Sequence, residues 1–205
     1  PVWRGGSLRL RGGTVIEAFG TGQRIRGRRH RAHRPTLIVC DDLNDFVTGM
    51  DGHPQARTPN VEKLAESGVS FRRAYCNVPV CAPSRSSFLT GIYPHTSGNF
   101  GFQRWYENDV LINSKTLMEH FADNGYQVGR TGKGWGPGSH RKLGIPSDSL
   151  GNTFMSEEIP DPPEGVRATD YAANFDRFLE SLDPKQPFFF WAGIIEPHEP
   201  SGPTN

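Results

Sequence analysis

Cys81, Pro83 and Arg85 share one short run, Cys81-Ala82-Pro83-Ser84-Arg85, that joins a nucleophile to a fixed positive charge. A thiol at a helix start meets unsatisfied backbone N–H groups and the positive end of the helix dipole, which favour an anion there. Arg85, about one turn on, adds a charge that titration does not remove. Three other stretches carry comparable chemistry. Asp41-Asp42 sets two carboxylates side by side, which a hard divalent cation with oxygen ligands, Ca²⁺ or Mg²⁺, would neutralise. Lys133 lies in the glycine-rich turn Gly132-Lys133-Gly134, where backbone and a bound molecule can approach closely. His198 sits in the turn Glu196-Pro197-His198-Glu199-Pro200. Taken singly, each has a plainer reading: a structural cysteine, an acidic turn, a surface lysine, a turn histidine.

The elements around these residues argue for treating them together. Thr36–Cys40 is a short apolar run of the kind found in buried parallel strands, and Asp41 follows it directly. Pro83 suits the first turn of a helix and Gly91 its end, so a helix begins at or next to Cys81. Tyr126–Thr131 reads as a strand feeding Lys133, and Pro187–Ile195 as a near-continuous apolar strand feeding His198. In open α/β sheets, sites lie beyond the carboxyl ends of the strands. The spacing further predicts helices over Thr58–Gly68, Ser114–Asn124 with Ser114 as cap, and Thr169–Asp183, and a strand over Val69–Tyr75. Tyr171, Phe175, Phe178, Leu179 and Leu182 recur at helical spacing and read as core. The order of elements is that of an α/β layered fold.

The run Cys81-x-Pro83-Ser84-Arg85, then Leu89-Thr90-Gly91 and Tyr93-Pro94, resembles the signature of the type I sulfatases. That resemblance implies an alkaline-phosphatase-like fold, a mostly parallel sheet flanked by helices. It implies that Cys81 is converted to Cα-formylglycine by a formylglycine-generating enzyme, which becomes a partner, and that the hydrated aldehyde is the nucleophile. By the same resemblance one hydroxyl would attack sulfur after losing its proton to an aspartate of the metal shell. The alcohol would leave with a proton from His198, and the second hydroxyl would then collapse to the aldehyde and expel sulfate. Ca²⁺, with Mg²⁺ as the alternative, would be held by Asp41, Asp42 and the modified Cys81. Lys133 and His198 would contact the sulfate, and Arg85 would steady the formylglycine, with Ser84 assisting. Many sulfatases carry a histidine shortly after this lysine. Gly134, Trp135 and Gly136 stand there instead, and His140 lies further on.

Gly-Lys followed by Trp and Pro-Gly is similar to the iduronate-sulfatase-like branch, so a sulfated carbohydrate is the expected substrate. A phosphodiesterase or phosphonate ester hydrolase of the same superfamily is the alternative enzyme. Resemblance spans residues 34–205, read as the N-terminal part of a catalytic domain, incomplete at the C-terminus and expected to have little activity alone. The pattern's remaining metal ligands and second lysine have no counterpart here.

Residues 1–33 read as a basic, disordered leader. Arg24, Arg26, Arg28, Arg29, Arg31 and Arg34 cluster there, and a polyanion-binding arm is the non-enzymatic alternative. The formal net charge of +1 over 205 residues gives no global field toward nucleic acid, and no apolar run is long enough to span a bilayer, so neither nucleic acid nor membrane is expected as a partner. The family implies a secreted or periplasmic location, though no signal-peptide core is visible. Three cysteines, Cys40, Cys76 and Cys81, do not make a disulfide framework.

Overall fold

The computed structural model describes residues 6–10, 14–19, 36–43, 47, 53–134 and 151–198. The arginine cluster of residues 24–34 and His140 lie outside the described residues. A six-stranded sheet runs through the molecule: β1 (Gly6–Leu10), β2 (Thr14–Phe19), β3 (Thr36–Asp41), β4 (Gln127–Gly132), β5 (Asn152–Thr153) and β6 (Phe188–Ile194). Their order is β1-β2-β3-β6-β4-β5. β3, β6, β4 and β5 are mutually parallel, while β1 and β2 add an antiparallel hairpin beside β3. The helices are α1 (Pro59–Ser67), α2 (Cys81–Thr90), α3 (Pro94–Ser97), α4 (Asp109–Ile112), α5 (Leu117–Asp123) and α6 (Tyr171–Glu180). None of the described helices is long and apolar enough to cross a membrane.

β6 explains why the sheet needs cover on both sides. Phe188, Phe189, Phe190, Trp191 and Ala192 are all buried. Side chains alternate across a strand, so Phe189 and Trp191 face one layer and Phe188, Phe190 and Ala192 the other. The first layer gathers Val39, Leu89, Met118 and Val128, with Phe88 and Phe121 from α2 and α5. Phe88 stacks on Trp191 with ring centroids 5.2 Å apart, and Phe121 stacks on Phe189 at 4.3 Å. The second layer is α6, whose Phe175 and Phe178 pack on Phe188 and Phe190. Each aromatic side chain that leaves water here contributes about 1.5–3 kcal/mol.

The helix expected at the cysteine forms as its residues dictate. Gly91 caps α2 at φ 73, in the left-handed region that glycine enters without cost, and its N–H donates to the Ser87 carbonyl at 2.8 Å.

Three expectations need correction. Residues 69–75 do not form a strand: Ser70 and Tyr75 are single bridge residues around a turn at Arg72 and Arg73, and Val69, Phe71 and Tyr75 are exposed. The alternating apolar side chains of this stretch stay on the surface, and the chain turns between its two bridge residues. The cap of α5 is Thr116, not Ser114. Thr116 accepts from the Glu119 N–H at 3.2 Å while the Glu119 carboxylate accepts from the Thr116 N–H at 2.8 Å, a capping box that satisfies two end donors at once. Residues 6–10 and 14–19, inside the segment expected to lack folded pattern, pair as a hairpin from Gly6↔Ala18 to Leu10↔Thr14.

Candidate active site

Register brings three strand ends to one level. Cys40 of β3 pairs with Ile194 of β6, and Gly132 of β4 pairs with Gly193 of β6. Asp41, Lys133 and the turn carrying His198 therefore leave the sheet side by side. Strand periodicity then selects which aspartate enters the site. Val39 faces the α2 layer, so Asp41, two residues on, does too. Asp41 is buried, whereas Asp42 is exposed with φ 60, where the chain turns away. The tandem expected from sequence is thus split, with one carboxylate inside and one in solvent.

The α2 layer supplies the rest. Arg85 is buried and donates through Nη2 to Asp41 Oδ1 at 3.2 Å and through Nη1 to the Lys133 carbonyl at 2.9 Å. Burial pulls the Arg85 guanidinium below its ordinary value, while Asp41 and Cys81 push it back up. Lys133 Nζ pairs with the other Asp41 oxygen. One buried carboxylate thus answers two cations. The Lys133 backbone is fixed as firmly as its side chain. Its N–H donates to the Gly193 carbonyl at 2.8 Å, and its carbonyl also accepts from Trp191 Nε1 at 3.2 Å. Gly193 is required for this approach, because a Cβ there would lie 2.2 Å from the Lys133 carbonyl oxygen.

Asp41, Cys81 and His198 converge: a carboxylate oxygen, the sulfur and an imidazole nitrogen all lie within 4.8 Å of one another. Cys81 is half-buried at the first position of α2, after the extended Val80. Cys40, Cys76 and Cys81 are all thiols, and burial pushes the Cys76 thiol up. Ser84 is buried within α2. The convergent donors fit part of a divalent-cation shell. Asp41 offers a hard oxygen, and position 81 offers sulfur as cysteine or oxygen once oxidised and hydrated. Since Ca²⁺ takes about six to eight oxygens, these residues furnish only a portion of them.

Two residues that sequence reasoning gave no role adjoin the site. Tyr171, read as core, donates from Oη to Glu196 Oε2 at 2.7 Å and accepts from the Ile195 N–H at 3.1 Å. Glu196 Oε1 accepts from the Arg167 N–H at 3.0 Å. Partial burial pushes the Glu196 carboxyl up, but the hydrogen bonds from Tyr171 and the Arg167 backbone outweigh it and hold the group below its ordinary value. The available signal was proximity in sequence, since Glu196 stands two residues before His198.

Residues 36–204 match the family model described as Sulfatase. Among curated relatives, a "Sulfatase" of Formosa agariphila is 37% identical over 204 residues, an alignment covering 80% of this chain and 39% of that protein. Human "Iduronate 2-sulfatase" is 37% identical over 196 residues, covering 80% and 35%. Bovine "Arylsulfatase A" is 37% identical over 124 residues, covering 54% and 24%. A solved structure described as Ps i-CgsB in complex with k-i-k-neocarrahexaose superposes with a TM-score of 0.57 at 23% identity, over 80% of this chain and 45% of that one, and shares the fold. The chain thus spans less than half the length of each of these proteins. The matched span opens on the first residue of β3 and runs past His198, taking in every strand end that feeds the cluster, and the chain belongs to the Sulfatase family.

Proposed function

We propose that the protein carrying this chain hydrolyses sulfate esters, with a sulfated carbohydrate as substrate. The observation that supports this most is the approach of Cys81 to Asp41 and His198 within 4.8 Å, at the end of a buried strand bundle. A structural cysteine has no reason to face a buried carboxylate and an imidazole. When formed, the hydrated aldehyde at position 81 supplies an oxygen nucleophile in place of the thiol. When bound, a divalent cation, Ca²⁺ before Mg²⁺, draws charge from the sulfuryl oxygens, and Asp41, Asp42 and position 81 are the residues proposed to hold it.

The chain's own groups have distinct tasks. An aspartate of the metal shell accepts the proton of the attacking hydroxyl, and Asp41 is the counter-charge for Arg85 and Lys133. Lys133 reaches the sulfate through Nζ and answers the charge that accumulates on its oxygens. His198 donates a proton to the departing alcohol oxygen, which matters most when that alcohol is a poor leaving group. Arg85, tied to Asp41 and to the Lys133 carbonyl, holds the carboxylate and the lysine in mutual register. Sulfated glycans enter this reading through the relatives, one of which is named an iduronate sulfatase. Export from the cytoplasm, and modification by a formylglycine-generating enzyme there, are part of the same reading.

The test is peptide mass spectrometry across residue 81 after expression with the modifying enzyme, paired with rates on an aryl sulfate and an aryl phosphodiester. Loss of mass relative to cysteine together with faster sulfate cleavage is expected. An intact thiol in active protein overturns the nucleophile, and faster phosphodiester cleavage moves the protein to the phosphodiesterase branch.

A further inference from the structure

We infer that Tyr171 and Glu196 form a positioning pair that sets His198 against Asp41 and Cys81. Only the kinetic part of its test rests on the sulfate-ester reading. β6 ends at Ile194, so the Ile195 N–H has left the sheet ladder, and the Tyr171 hydroxyl takes it at 3.1 Å. The same hydroxyl donates to Glu196 Oε2 at 2.7 Å, which fixes its proton away from Ile195 and leaves a lone pair facing that N–H. The Ile195 carbonyl accepts in turn from the His198 N–H at 3.0 Å, closing the turn that carries the imidazole. Both polar groups of the Ile195 unit are thus used, one by Tyr171 and one by His198.

Glu196 does not itself join the Asp41, Cys81 and His198 group. Its oxygens are engaged by Tyr171 and by the Arg167 N–H, so it acts on the site through the scaffold. Tyr171 reaches a second strand end as well. Its ring lies so close to Gly132 that a Cβ there would sit 2.8 Å from Cε1. Gly132 precedes Lys133. One side chain, at the first position of α6, therefore abuts the strand ends that present both Lys133 and His198. An exposed tyrosine at a helix start would do neither.

The test compares Tyr171→Phe with the parent protein by amide hydrogen exchange and by kinetics. Exchange at Ile195 and His198 should quicken about tenfold while α2 and β4 keep their rates, as expected for opening of one local unit. In the kinetic arm, kcat on an alkyl sulfate should fall about tenfold more than kcat on 4-nitrophenyl sulfate, since misplacing a proton donor hurts poor leaving groups most. KM should change little. Glu196→Gln, which keeps the shape and the Arg167 contact, should give the same local pattern more weakly. Unchanged exchange at 195 and 198 in both variants overturns the proposal, as does faster exchange throughout the chain in both, which would make the pair ordinary core. Equal kcat losses on the two sulfates also overturn it. A parent protein that cleaves no sulfate ester refutes the sulfate-ester reading instead, and the exchange measurement still decides the pair.

Discussion

Arg85 reaches from α2 to the Asp41 carboxylate at 3.2 Å, and both side chains are at least nine-tenths shielded from water. Such a pair gains little over two apolar residues, because desolvating both charges offsets their attraction. Removing one partner is different, since it strands a buried charge. Arg85→Ala should therefore destabilise the protein by about 3–5 kcal/mol in urea unfolding. Lys133, on the other carboxylate oxygen, moderates the loss toward the lower figure. The double variant Asp41→Asn, Arg85→Ala should lose clearly less than the sum of the two single changes, because the groups share one interaction. Strict additivity would mean the pair contributes nothing.

Gly193 offers a steric test of how Lys133 is held. An added Cβ would lie 2.2 Å from the Lys133 carbonyl oxygen and 2.8 Å from Trp191 Nε1. The first obstacle is backbone, so no rotamer change relieves it. Gly193→Ala should cost at least about 1–3 kcal/mol, the usual range for overpacking, and should part β4 from β6 at the level of the site. Gly101→Ala is the control, because a Cβ there meets nothing within 4 Å. Thermal unfolding of the two variants side by side reads the difference, and equal midpoints would show that the Lys133 turn is not tightly packed.

Much of this arrangement was legible because it follows local rules. The apolar runs at Thr36–Cys40 and Pro187–Ile195 became β3 and β6, and Pro83 with Gly91 bracketed α2. The choice between Asp41 and Asp42 was also accessible, since a period of two from Val39 selects Asp41, but only once the face covered by α2 was known. The α5 cap could have been read correctly, because Thr116-x-x-Glu119 is the capping-box spacing and Ser114 lacks it. Residues 69–75 could not, since alternation alone does not tell a continuous strand from single bridge residues flanking a turn, and here Val69, Phe71 and Tyr75 face solvent. The Tyr171–Glu196 bond joins residues 25 positions apart, and nothing local to a helical tyrosine announces it.

Tyr171 also predicts an alkaline response. Burial pushes its phenol up to about 12 from an ordinary 10.0; the Ile195 N–H it accepts works against this and Glu196 works with it. Between those values the unfolded chain loses the proton while the folded protein keeps it. Stability from the neutral phenol is fully present below pH 10.0 and is lost as pH rises through about 12. Tyr171→Phe should be less stable at neutral pH and should show a shallower decline across that window. Urea midpoints measured over the interval test it, and parallel curves for the two proteins would contradict the shift.

Calcium binding should separate the two aspartates. Asp41 lies with Cys81 and His198 in the convergent group, while Asp42 is exposed outside it. A cation that binds only the folded state raises stability by about 2.7 kcal/mol when present at a hundred times its dissociation constant. Because Lys133 and Arg85 already neutralise Asp41, an incoming cation must share that carboxylate, and the Lys133 ammonium is the more movable competitor, being partly exposed where Arg85 is buried. Calcium should therefore raise the unfolding temperature of the parent. Asp41→Asn should abolish the rise, and Asp42→Asn should reduce it without abolishing it. Lys133→Met, which frees one Asp41 oxygen, should strengthen calcium binding in calorimetry even as it removes the side chain proposed to contact sulfate. If Asp42→Asn abolished the response and Asp41→Asn left it intact, the exposed carboxylate would be the principal ligand, and Asp41 would serve as the fixed counter-charge for Arg85 and Lys133.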